Sequence, residues 1–165
     1  MNLVLIGFMG SGKSTIARSL SSLLQFALIE INELVYKKTK TKNMHEVFAL
    51  GGEALLREIE LCIAKECAEK TNQIISTGGG IVLAPTPLNL FKKNGAKIIF
   101  LHAPFDLIAK RLENDLSRPL FTDLSCAKKI YEARLPLYLQ YADEIIEIGS
   151  ESPSHIASTI LTRSF

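Results

Sequence analysis

At 165 residues the chain is about one domain long, enough to bury a single sizeable core and too short for two independent ones. Its 47% hydrophobic content fits a globular protein, while a formal charge of +2 and a pI near 8.4 exclude a strong electrostatic pull toward nucleic acid or an acidic membrane. An anionic ligand must then be held by local arginines and lysines, not by the field of the whole molecule.

The first element is the strand LVLI at 3–6. It runs into Gly7-Phe8-Met9-Gly10-Ser11-Gly12-Lys13-Ser14, which fits the phosphate-loop pattern G-x-x-x-x-G-K-(S/T) in its required setting, after a strand and before a helix over 15–24. Glycines let the backbone wrap phosphate oxygens, the successive N–H groups of Gly10, Ser11, Gly12 and Lys13 and the helix N-terminus supply positive potential, and the Lys13 ammonium adds a point charge. Ser14 offers a hydroxyl to Mg²⁺, with Thr15 beside it. The motif predicts a nucleoside triphosphate with Mg²⁺ and is silent about the phosphoryl acceptor. A leader peptide is not expected, since MNLVLIGFMG lacks a basic region, and no stretch nears the roughly 20 apolar residues of a membrane span. A cytosolic location is the expectation.

Further strands are predicted at 27–31 (ALIEI), 74–76 (IIS), 97–101 (KIIFL) and 144–148 (EIIEI), continuously apolar runs that suit parallel strands covered on both faces. The basic run at 37–42 reads as a solvated helix end and turn. A helix over 52–69 is expected to bury Ala54, Leu55, Ile59, Cys62, Ile63 and Cys67, the two cysteines acting as small apolar residues. Three glycines, Gly78-Gly79-Gly80, follow the third strand. A helix over 104–113 starts at Pro104; residues 111–124, polar and without sustained period, predict a lid-like loop; helices follow over 125–141 and from Ser152-Pro153 onward. The alternation of strand and helix predicts an α/β fold.

Taken together, GFMGSGKST, GGEALLREIE at 51–60, ISTGGG at 75–80, SRPLF at 117–121 and ARLPLYLQYAD at 133–143 resemble, in this order, shikimate kinase, a small member of the nucleoside-monophosphate-kinase-like P-loop fold. The resemblance covers nearly the whole chain. It implies a single three-layer α/β/α domain over 1–165, a central mostly parallel five-stranded sheet in the order 2-3-1-4-5, a mobile lid over about 112–124 and an acceptor-binding segment over about 32–61. It implies ATP-dependent phosphorylation of the 3-hydroxyl of shikimate. Shikimate would be bound by Arg57, Gly78, Gly79, Gly80 and Arg134, and guanidinium pairs do suit a carboxylate. Arg118 would close over the transferring phosphates, with Arg111 and Pro153 flanking adenine. A monomer is the default. A same-fold kinase for another acceptor, or a nucleotide-binding regulator without turnover, are the alternatives.

The family has two aspartates with one residue between them where this chain reads Glu30-Ile31-Asn32-Glu33. Counting from Lys13 aligns them with Glu30 and Asn32; counting back from Arg57 puts the second on Glu33. An insertion in the Lys/Thr run at 37–43 favours Glu30 and Asn32, since insertions settle in loops. Glu30 would then serve the metal, whereas Asn32 can hydrogen-bond an acceptor hydroxyl but cannot act as a base. A slowed enzyme is expected, because a loose phosphoryl-transfer transition state depends more on positioning and charge than on proton removal.

Overall fold

The computed structural model describes residues 1–113, 115 and 123–165, so the lid loop with Arg118 lies largely outside the described residues. Strands β1 (Leu3–Ile6), β2 (Ala27–Glu30), β3 (Gln73–Ser76), β4 (Lys97–His102) and β5 (Glu144–Glu147) form one sheet in the order β2-β3-β1-β4-β5. Every pairing is parallel, with Leu3 opposite both Ile74 and Lys97. The described helices are α1 (Lys13–Leu24), α2 (Ile31–Thr39), α3 (Met44–Ala68), α4 (Pro85–Lys93), α5 (Phe105–Leu112), α6 (Leu124–Tyr141) and α7 (Pro153–Ser164), with a 3-10 turn at Ile81–Leu83.

The three middle strands are buried because helices cover both faces, as their unbroken apolar runs require. The expectation of two-sided cover fails at the margins. β2 is only partly buried, and in β5 Ile146 is buried while Ile145 is exposed, since an edge strand has one flank open to water. The strand expected to include Ile31 ends at Glu30, where α2 starts and buries Ile31 and Val35; the basic run 37–42 is, as expected, the end of this helix and its turn. Helix α4 starts at Pro85, a first-turn position whose N–H would be unbonded in any case.

Helix α3 is longer than expected and broken. Gly52 has φ 66° and ψ −160°, a conformation essentially reserved for glycine, and it splits α3 into a short N-terminal arm and a long helix. The long part buries Leu56, Glu60, Ile63, Ala64 and Cys67, while Ala54 and Cys62 face outward. The buried face is thus rotated from the expected one because a charged residue, Glu60, belongs to it. Among the described residues no helix is long and apolar enough to cross a membrane.

β1 lies between β3 and β4, so the chains leaving these strands diverge to opposite sides and open a crevice at their carboxyl ends, the usual ligand position in an open α/β sheet. Thr77 binds this edge together, its Oγ1 donating to the Leu5 carbonyl at 2.8 Å.

Replacing Gly52 with Ala is expected to destabilise the protein by about 1–3 kcal/mol, read from urea unfolding, because the added Cβ meets open space and the cost is backbone strain alone. An unchanged midpoint would mean that the break in α3 is not held.

Candidate functional site

The phosphate loop leaves β1 in a conformation set by glycine. Gly10 and Gly12 have φ of 79° and 94°, and Gly12 caps α1 without a side chain, so the first-turn N–H groups of the helix point into the loop. Lys13 folds back over it, Nζ donating to the carbonyls of Gly7 at 2.7 Å and Phe8 at 3.0 Å. Ser11 is 1% exposed, and its hydroxyl is buried without a hydrogen bond. Ser14 and Thr15 follow in the first turn of α1. Arg111, near the end of α5, donates from Nη1 to the Gly10 carbonyl at 3.0 Å, so it sits on the loop's outer side. Pro153 is exposed at the start of α7, which packs against α1.

Beside the loop, Ser14 donates its hydroxyl to Glu30 Oε2 at 2.9 Å. Glu30 Oε1 is buried without a hydrogen bond, with Arg18 Nη2 3.8 Å away. This serine and half-satisfied carboxylate at a phosphate loop fit Mg²⁺, which takes one or two protein oxygens and completes its shell with water and phosphate oxygens. They line a cavity of about 260 Å³ with Asn32, Glu33, Tyr36, Ser76 and Thr77.

A larger cavity of about 670 Å³ adjoins it, sharing Asn32 and Tyr36. Four segments build it: the start of α2 gives Asn32, α3 gives Arg57 and Glu60, the turn after β3 gives Gly78, Gly79 and Gly80, and α6 gives Arg134. Asn32 projects into this space because β2 passes directly into α2, and Asn32 Oδ1 is buried without a hydrogen bond. Glu33, the next residue, is exposed and lines only the smaller cavity. Arg57 and Arg134 converge from separate helices, and an Arg57 nitrogen closes on the position a Cβ of Gly80 would take, while Arg134 Nη1 lies 3.7 Å from that of Gly79. At Gly80 a Cβ would displace the Arg57 guanidinium, so the bare backbone there leaves it room.

Sequence reasoning did not assign roles to two groups of this cavity. Glu60, 1% exposed, accepts from Arg57 Nη1, and Glu53 Oε1 accepts from Arg57 Nη2 at 3.1 Å, so Arg57 is clamped between two carboxylates at i−4 and i+3. Burial pushes the Glu60 carboxyl above its ordinary value, with Arg57 pulling the other way. Tyr138 donates to the Gly79 carbonyl and so fixes the glycine turn; burial pushes its hydroxyl up to about 12, keeping it a donor at neutral pH. The signals were the spacing R-x-x-E in 57–60 and the i, i+4 pair Arg134/Tyr138. Met44 and Phe48, on the short arm of α3, cover the cavity, and only the break at Gly52 reveals that they do.

The family model described as Shikimate kinase matches residues 9–164. The shikimate kinase of Streptococcus gordonii is 38% identical over 164 residues, covering 97% of this chain and 98% of that one. Among solved structures, shikimate kinase from Acinetobacter baumannii in complex with shikimate superposes with a TM-score of 0.91 at 26% identity over 99% of this chain and 92% of that one. The enzyme from Aquifex aeolicus gives 0.85 at 33% identity over 98% and 95%.

A Cβ on Gly78 would lie 2.9 Å from Asn32 Oδ1, inside the larger cavity. Gly78→Ala is therefore expected to weaken acceptor binding at least tenfold and to leave ATP affinity within about twofold, both read by calorimetric titration. Equal loss of both affinities would mean that the two cavities are not separate sites.

Proposed function

Since the chain belongs to the shikimate kinase family, whose members are ATP-dependent phosphotransferases acting on a hydroxyl group, we propose that this protein transfers the γ-phosphoryl group of ATP to the 3-hydroxyl of shikimate, using the residues of the two adjoining cavities. The observation that carries this reading is the convergence of Arg57 and Arg134 on the triple-glycine turn, in a cavity that meets the phosphate loop at Asn32.

In this reading the ring carboxylate is held by the two guanidinium groups, each able to make paired hydrogen bonds to it. Glu60 and Glu53 fix Arg57 in that orientation before the ligand arrives, which lowers the entropy lost on binding. The ring hydroxyls turn toward Asn32, which accepts or donates hydrogen bonds to them. The phosphate loop holds ATP through its N–H groups, and Lys13 exchanges its two loop carbonyls for phosphate oxygens. Ser14 and Glu30 would hold Mg²⁺, which neutralises charge on the phosphates when bound. Arg118 stabilises the charge spread over the transferring group, and Arg111 and Pro153 flank the base. We take the protein to work as a cytosolic monomer.

The test is a coupled assay for ADP release with Mg²⁺-ATP and shikimate beside a control without acceptor. Shikimate-dependent turnover that rises in Asn32→Asp supports the reading; ADP release indifferent to shikimate removes it. Arg57→Ala is expected to raise the shikimate KM by about 10- to 100-fold, the worth of hydrogen bonds to a charged group, with a smaller change in kcat. Arg118→Ala is expected to lower kcat by roughly 10²–10³-fold while shikimate affinity is retained. A pure affinity loss there would exclude a transition-state role.

A further inference from the structure

The space in front of Gly78 is bordered by two acceptor oxygens. A Cβ on that glycine would lie 2.9 Å from Asn32 Oδ1, which comes from α2, and 3.4 Å from Glu60 Oε1, which comes from α3. Asn32 Oδ1 is buried without a hydrogen bond. Glu60 is 1% exposed, and among the described residues its one hydrogen bond, from Arg57 Nη1, goes to Oε2, so Oε1 is left toward the cavity. Oxygens arranged this way are complementary to hydroxyl groups, since a buried acceptor left without a donor is costly.

Asn32 cannot take a proton from such a hydroxyl. The carboxylates nearby differ in their commitments. Glu30 accepts from Ser14, Glu33 is exposed on the smaller cavity, and Glu53 is largely exposed and accepts from Arg57. Glu30 also keeps one oxygen without a hydrogen bond but lines the smaller cavity, whereas Glu60 is buried in the wall of the larger one and, among the described residues, receives its hydrogen bond on Oε2 and not on Oε1.

We propose that Glu60 Oε1 is the proton acceptor of the reaction in this chain, with Asn32 Oδ1 accepting from a neighbouring ring hydroxyl to hold the acceptor in register. The proposal rests on the shikimate kinase reading above. In the step, the acceptor O–H bond breaks and its proton passes to Glu60 Oε1. The oxygen's electron pair forms the bond to the γ-phosphorus, and the bond from that phosphorus to the bridging oxygen breaks, its pair leaving on ADP. Glu60 returns the proton to water when product vacates the cavity. The charged groups that face Glu60 are Arg57 and Glu53 on its own helix and Arg134 on α6. Burial raises the carboxyl above its ordinary value, which brings it nearer the working pH, where a base is most effective. A base must be deprotonated to work, so kcat rises with pH through the Glu60 titration and levels off above it.

The experiment compares kcat, shikimate KM and the pH profile of kcat in the wild type, Glu60→Gln and Glu60→Gln combined with Asn32→Asp. Glutamine keeps a carbonyl for Arg57 and removes the base. Glu60→Gln is expected to lower kcat on the order of 10²-fold and to abolish the acid limb, and Asn32→Asp is expected to restore at least a tenfold part of that loss. A Glu60→Gln enzyme with kcat within about twofold of the wild type and only a raised KM would reduce Glu60 to a holder of Arg57 and overturn the proposal. Where Glu60→Gln does not fold, the wild-type profile decides: a limb above the ordinary carboxylate range supports the proposal, and a kcat flat between about pH 5 and pH 8 overturns it. Wild-type protein without shikimate-dependent ADP release removes the functional reading and this proposal with it, whereas turnover with Glu60→Gln unchanged removes the proposal alone.

Discussion

Everything in this molecule is arranged around the end of β1. The strand is buried at every residue, flanked by β3 and β4, and it stops where the backbone must turn its N–H groups inward toward an anion. That turn needs positive φ at Gly10 and Gly12 and an uncapped first turn of α1. A charged ligand can be gripped there only because the surrounding strands and helices are packed rigidly enough to hold unbonded N–H groups against collapse. The Thr77 hydroxyl, donating to the Leu5 carbonyl, fixes the start of the glycine turn to the same strand end, so the phosphate loop and the larger cavity share one anchor.

The second organising feature is a buried charge. Glu60 sits on the inner face of α3 among Leu56, Ile63 and Ala64, where an unpaired carboxylate would be costly, and Arg57 one turn away compensates it. The pair is poor evidence for stability, since replacing such pairs with apolar residues is often neutral. Its value lies in orientation. Held by Glu60 and Glu53, the Arg57 guanidinium is directed at the glycine turn, and Tyr138 holds that turn from the opposite side by binding the Gly79 carbonyl. Two helices and one loop thus fix each other's polar groups at the cavity wall.

Asn32, which the sequence comparison with the family sets against an aspartate, stands where the two cavities meet. An amide at the junction of the two cavities preserves hydrogen bonding to a polyhydroxylated ring and gives up proton affinity. Because phosphoryl transfer depends chiefly on placing the reactants and neutralising charge, such an exchange is compatible with catalysis, and it turns attention to the other oxygen that faces the same glycine.

Local chemistry was enough to read much of this in one dimension. The phosphate loop, the alternation of strand and helix, the lone glycine triplet and the order of the arginine motifs are all short-range patterns, and the resemblance they carry together led to the family and, through it, to the sheet order. Short range is also where such reading fails. The strand at 27–31 loses Ile31 to a helix that begins without a loop, and Cys62 is turned outward while Glu60 belongs to the buried face. Register along a helix depends on what packs against it, and that information lies in other segments. Whether Asn32 or Glu33 faces the acceptor cavity, that Glu60 keeps one oxygen toward it, and that Met44 and Phe48 cover it were decided by the tertiary structure alone, because each depends on directions fixed by residues far away in the chain.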